Sequence, residues 1–188
     1  MVTSTDIVNR ALQLTGNNQP PVTGVAPTFD SSPAGVAVSY LYNSVVQTVG
    51  RQFGWDFSRN TVTLVTSGNS PPFPFAYEYL YPTLGVQVRQ VMPGSLADAN
   101  NPRPVNWVVA NNTVGGIPTK VIQTNLASAM AVFSNQPSES TWDPIFTEAV
   151  VRLLGSELAT ALSGRPDTSR DMLEQGSQFA ALGETRDS

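Results

Sequence analysis

The chain contains no cysteine and no histidine. Without thiols there can be no disulfides, no zinc–thiolate centres and no cysteine nucleophiles. Without imidazole the usual serine triads and Cys–His dyads are excluded as well. Lys120 is the only lysine, so any Ser–Lys chemistry would rest on it alone, and its setting in a strand between turn residues reads as a solvated edge lysine. Charged residues make up 13% of the 188 positions, about half of the roughly 25% usual for soluble proteins. A surface so poor in charge suits a free monomer badly, and it predicts that much of this surface is covered in an assembly. The net charge of −4 argues against a dedicated DNA or RNA binder, whose affinity comes from neutralising phosphates with Lys and Arg. No uninterrupted apolar stretch reaches about 18 residues, so no membrane insertion is expected. Met1 to Asp6 reads as the approach to a helix and not as a leader.

What is present is hydrophobic patterning, with 40% apolar residues, 15 prolines and 14 glycines. The sharpest element runs from residue 143 to 164. Asp143 is placed to cap a first turn, and Pro144 suits the first helical position. Ile145, Phe146, Ala149, Val150, Leu153, Leu154, Leu158, Ala161 and Leu162 then keep helical spacing, interrupted only by Glu157. Gly164 and Pro166 supply the stop. Near the N-terminus, Thr3 or Ser4 caps a short helix that carries Ile7, Val8, Ala11 and Leu12 and ends at Gly16. Ser32-Pro33 restarts helix through Val49 until Gly54, and a weaker helix, with Gly176 inside it, spans about 167 to 182.

Between these segments the period falls to 2. From Trp55, Phe57 and then Thr61–Thr66 alternate as a half-buried strand does. Phe75–Tyr81, Val86–Val91, Asn106–Val109, Lys120–Ile122 and Ala129–Phe133 follow as strands. Turns are expected at Ser67–Pro72, at Asp98–Asn101, at Asn111–Asn112 and at Gly115–Gly116. The fold class this predicts is α+β: a helical bundle formed by the N- and C-terminal helices, residues 1–54 and 136–188, with an inserted, mainly antiparallel β-sheet region, residues 55–135.

Candidates for chemistry are few. Glu78 lies among tyrosines in a strand, and with Asp56 or Asp98 it could form the carboxylate pair of a glycosidase. Alternation instead points Glu78 to solvent, with Tyr77 and Tyr79 on the other side. Trp55, Trp107 and Trp142 stand at element junctions, where large aromatics serve as core anchors more often than as ligand platforms. Acidic residues concentrate toward the C-terminus (Asp143, Glu148, Glu157, Asp167, Asp171, Glu174, Glu184, Asp187), either as a solvated face or as a contact surface for a basic partner. No phosphate loop, calcium loop or dinucleotide fingerprint occurs. No catalytic, cofactor-binding or metal-binding residue is therefore assigned, and the chain is not expected to be an enzyme.

Four landmarks occur in order: Ala11-Leu12-Gln13-Leu14-Thr15-Gly16; Phe53-Gly54-Trp55-Asp56-Phe57; Tyr77-Glu78-Tyr79-Leu80-Tyr81-Pro82 ahead of Val86–Val91; and Trp142-Asp143-Pro144-Ile145-Phe146 running to Leu162-Ser163-Gly164. Together they resemble the head-to-tail adaptor proteins of short-tailed bacteriophages, the tail tubular protein A family. The chain departs from the family in having Thr83-Leu84-Gly85 where an acidic residue is common, and in its low charge. The resemblance implies a structural virion protein of the phage tail connector, made in the bacterial cytoplasm. Such a protein self-associates in a ring, typically of twelve copies, under the portal protein and meets a tail nozzle or tail tube protein and tail fibres. Double-stranded DNA passes through the ring during ejection without sequence-specific binding. The alternatives weighed beside it are a tail-associated cell-wall glycan hydrolase using Glu78 and a carbohydrate-binding module using the tyrosine strand.

Overall fold

The structure is a computed structural model that describes residues 2–16, 20–52, 55–83, 85–94, 105–163 and 166–186. The expected helix stops at Gly54 and Gly164, the turn at Asp98–Asn101 with the carboxylate of Asp98, and the landmark residue Phe53 lie outside the described residues, as does Asp187. The described chain is mixed α+β, with four α-helices and three small antiparallel sheets. It divides into two compact units, residues 1–58 with 136–188, and residues 59–135.

In the first unit, α1 (Ser4–Leu14) opens with a capping box. The Asp6 N–H donates to the Thr3 hydroxyl oxygen at 3.2 Å, and the Asp6 carboxylate accepts from the Thr3 N–H at 2.9 Å. Gly16, at φ 67°, takes the left-handed conformation that turns the chain away. A two-strand ribbon follows, β1 (Gly24–Val25) against β2 (Thr28–Phe29). Asn9 of α1 holds its approach, accepting from the Val22 N–H at 2.8 Å and donating to the Val22 carbonyl at 3.0 Å. Helix α2 (Pro33–Gln52) starts where the Ser32 hydroxyl accepts from the Gly35 N–H at 3.0 Å. Ser32 is in turn seated by Asp30, whose carboxylate accepts its N–H at 3.0 Å.

Helix α3 (Pro144–Leu158) is capped by Asp143, which accepts from the Ile145 N–H at 2.7 Å. It then widens into a π-helical turn, Ala159–Ser163. Helix α4 (Pro166–Arg186) begins at Pro166, so this proline opens the next helix at a position where its missing N–H costs nothing. Helix α3 packs against α1, α2 and α4. Its Phe146, Ala149, Val150, Val151, Leu154 and Leu158 share one core with Ile7, Val8 and Ala11 of α1 and with Val38, Tyr42 and Val46 of α2. Glu157 is exposed and so lies off this buried surface. Gly176 is a site of close helix approach: a Cβ there would lie 3.3 Å from the Leu153 amide nitrogen of α3. The low propensity of glycine at this position is the counterpart of tight α3–α4 packing.

Trp55 and Phe57 do not begin a strand. They join Phe146 in a ring cluster, each meeting Phe146 edge-on and the two tilted against each other, with the Trp55–Phe146 centroids 5.0 Å apart. Asp56–Ser58 forms a short 3₁₀ turn that carries Phe57. Gly183 of α4 lies against the buried indole, where a Cβ would come within 2.3 Å of ring carbons of Trp55.

In the second unit, β3 (Arg59–Thr63), β8 (Ala129–Asn135) and β5 (Gly85–Pro93) form one sheet in the order β3-β8-β5. Strands β4 (Tyr77–Leu80), β7 (Ile117–Thr124) and β6 (Trp107–Val114) form another in the order β4-β7-β6. One stretch of chain serves both. Leu64 N–H donates to the Ala129 carbonyl at 2.8 Å in the first sheet, and two residues later Thr66 bridges Tyr79 in the second. Leu64, Tyr79, Val88, Val91, Ile122, Ala131 and Phe133 form the shared core.

Two sequence expectations fail here. The half-buried alternation expected for Thr61–Thr66 is absent: every residue of β3 is exposed, and only Leu64, just beyond it, is buried. Asn111 and Asn112 do not turn; they lie within β6, paired with Lys120 and Thr119. The reversal is made by Gly115 and Gly116, both at positive φ (57° and 85°), as a two-residue hairpin loop requires.

Candidate functional site

Glu78 sits on β4 opposite Gln123 of β7. The expectation that it faces solvent is overturned, because its exposure is only 2%. Period-2 alternation does send Glu78 and Tyr79 to opposite faces, but at these two positions both faces of β4 are covered. Tyr79 enters the apolar core and donates its hydroxyl to the Leu126 carbonyl at 2.7 Å. On the other face the Glu78 carboxylate accepts from four neutral side chains. Ser67 Oγ donates at 2.8 Å and Asn69 Nδ2 at 3.3 Å to Oε1; Asn112 Nδ2 donates to both oxygens, at 3.1 and 2.9 Å; Gln123 Nε2 donates to Oε2 at 2.9 Å. The amides are themselves oriented, since Asn112 Oδ1 accepts from the Thr113 N–H at 2.8 Å and Asn69 donates to the Thr113 carbonyl at 2.9 Å.

Burial pushes the Glu78 carboxyl up, but the hydrogen bonds from Gln123, Asn112, Ser67 and Asn69 outweigh it and hold the group below the ordinary glutamate range. A carboxylate kept ionised with both oxygens engaged is a fastening point for three chain segments. It lacks the raised pKa of a general acid.

The other candidates are dispersed. Asp56 lies in the 3₁₀ turn of the helical unit. Lys120 is not on an edge: β7 is the middle strand of its sheet, and the ammonium rests 3.9 Å from the centroid of the Tyr81 ring. Trp55 and Trp142 are buried core residues, while half-buried Trp107 lines a shallow cavity of about 330 Å³ with Phe75, Asn106 and Asn125. Of the acidic residues toward the C-terminus, Asp143 is a helix cap and Glu148 pairs with Arg10 of α1. Among the described residues, no group of three or more acidic side chains is positioned to hold a metal ion.

The surface feature that residue-by-residue reading missed is the outer face of α2. Val36, Tyr40, Asn43, Ser44, Gln47 and Thr48 are exposed along it, and Tyr40 is 81% exposed. Arg51 is the only charged residue in the whole helix. The signal was available in the sequence as the absence of any Asp, Glu or Lys from residue 33 to 52. No family model matches the chain, and no curated protein does.

Proposed function

We propose that the chain is a structural subunit of a phage head-to-tail adaptor, which packs side by side with copies of itself in a ring between the portal protein and the tail nozzle or tube. The observation that carries this reading is the outer face of α2. It is a 20-residue helix with one charge and a tyrosine 81% exposed. Solvent-facing helix surfaces normally carry charge of both signs, and a long uncharged face is suited to burial against a neighbour. The order of the four landmarks supplies the identity of the assembly. In this reading α1, α2, α3 and α4 are the bundle that builds the ring wall, and residues 59–135 are an appended β unit. The ring lets double-stranded DNA pass without reading its sequence, as suits a chain of net charge −4.

The glycan-hydrolase alternative loses its best residue. Glu78 accepts five hydrogen bonds from Ser67, Asn69, Asn112 and Gln123, and its carboxyl is held low, the reverse of what protonating a glycosidic oxygen requires. The adaptor reading is tested by mixing the purified chain with portal assemblies of short-tailed phages and imaging the product. Rings of this chain stacked under the portal support it, and portals left bare at saturating chain concentration refute it.

A further inference from the structure

We propose that neighbouring copies lock head to tail through Phe73, which enters an apolar groove beside Val65 and Tyr81 of the next copy. This deepens the ring reading by naming one contact within it, and both halves of the contact lie on the β unit.

The projecting half is the turn Pro71-Pro72-Phe73-Pro74. Single exposed apolar residues are ordinary, but this one is 97% exposed and its backbone is braced. The Phe75 N–H closes the turn onto the Pro72 carbonyl at 3.2 Å. At its far end the Ala76 N–H donates to Asn125 Oδ1 at 2.9 Å, and at its near end Asn69 Nδ2 donates to the Thr113 carbonyl at 2.9 Å. Three prolines restrict the φ angles between these anchors. An aromatic ring held out on a rigid turn loses little conformational entropy on docking.

The receiving half opens where the chain passes from one sheet to the other. Val62, Leu64 and Val65 form one wall, Leu80, Tyr81 and Pro82 the other, around a volume of about 360 Å³. That is the lower end of the range, about 300–1,000 Å³, of pockets that take small ligands, and so it has room for one aromatic ring. Residues 67–76 contain no charged residue and none lines the groove; the Lys120 ammonium, 3.9 Å from the centroid of the Tyr81 ring, stands beside its wall. The two surfaces are different patches of one unit, so the contact is heterologous, the kind that propagates from copy to copy and closes into a ring or runs on as a filament.

The area sets its strength. One phenylalanine buries about 150–250 Å², against about 1,200–2,000 Å² for a stable pair of proteins. A single contact does not hold two free chains together, whereas contacts repeated around a ring add up.

The chain has no cysteine, which makes the test direct. Chains carrying Pro72→Cys, which keep the Phe73 ring, are mixed with chains carrying Val65→Cys on a portal, oxidised with diamide, and the linked peptides are identified by mass spectrometry. The 72–65 disulfide is expected roughly tenfold more often than a 117–65 disulfide from an Ile117→Cys control, a factor that burying the adjacent Phe73 ring supports. Ile117 is also well exposed, at 66%. Equal yields overturn the contact. So does unchanged assembly by Phe73→Ala, a substitution at a side chain too exposed to disturb folding. Rings that form on a portal without the 72–65 link refute this contact and leave the adaptor reading standing. The 72–65 link formed among concentrated chains that ignore the portal supports the contact and removes the adaptor reading.

Discussion

Glu78 and Gln123 face each other across the β4–β7 ladder, and the Gln123 amide donates to the Glu78 carboxylate at 2.9 Å. The same carboxylate gathers Ser67 and Asn69 from the loop after β3 and Asn112 from β6. Removing it leaves the buried Gln123 amide, and the half-buried Ser67 and Asn112 donors, without this acceptor, at about 1–3 kcal/mol for a buried group and more where the lost partner was charged. Glu78→Ala is therefore expected to lower unfolding free energy in urea by at least that amount. A variant as stable as the parent contradicts the fastening role.

The pH dependence follows from the direction of the shift. Glu78 is held below its ordinary value of 4.5 in the folded chain. Its contribution is thus complete above about pH 4.5 and is lost as pH falls through the lower, folded value. Asp30 behaves likewise. The hydroxyl of Ser32, then the N–H groups of Thr23 and Ser32, lower it from 3.8 to about 2. Acid unfolding followed by circular dichroism should show stability falling between pH 4.5 and 2. Asp30→Asn should be less stable at neutral pH and lose less on acidification. A slope unchanged by that substitution excludes Asp30 as a source.

Gly183 leaves no room for a side chain, because a Cβ would lie 2.3 Å from the ring of Trp55. Trp55 is itself fixed by its Nε1–H donating to the Val49 carbonyl at 3.0 Å. Overpacking of this kind costs about 1–3 kcal/mol. Gly183→Ala is expected to lower the melting temperature and shift tryptophan fluorescence; an unaltered melt would show that α4 does not close on Trp55.

Tyr40 separates folding from assembly. It is 81% exposed, so Tyr40→Glu should leave the melt of the isolated chain within about 0.5 kcal/mol of the parent, as surface substitutions generally do. In the proposed ring the new charge is buried between copies and assembly should fail. Normal assembly by Tyr40→Glu places the copy–copy interface elsewhere.

Much of the helical part was legible because its signals are local. Thr3, Ser32 and Asp143 cap where their side-chain oxygens suggest, and the apolar spacing behind each matches the buried face. The β unit was less legible because its decisive relations are between distant residues. Alternation separates Glu78 from Tyr79, yet nothing local says that β4 is covered on both sides at these two positions. Asn111 and Asn112 have turn chemistry, but the register that brings Asn112 to Glu78 keeps them in a strand. Gly176 read as a weak point in a helix because propensity sees only its own chain, while the backbone of α3 lies across the interface. The uncharged face of α2 was written in the sequence as an absence, and it acquires meaning only once the buried face is known.

The most direct measurement of the central claim is electron cryo-microscopy of the full chain incubated with a portal assembly. The expected image is a closed ring of copies seated on the portal, with α2 faces buried between neighbours and a central channel open to DNA. Chains bound singly at the portal surface, or rings in which Tyr40 and the rest of the α2 face point into solvent, would contradict it.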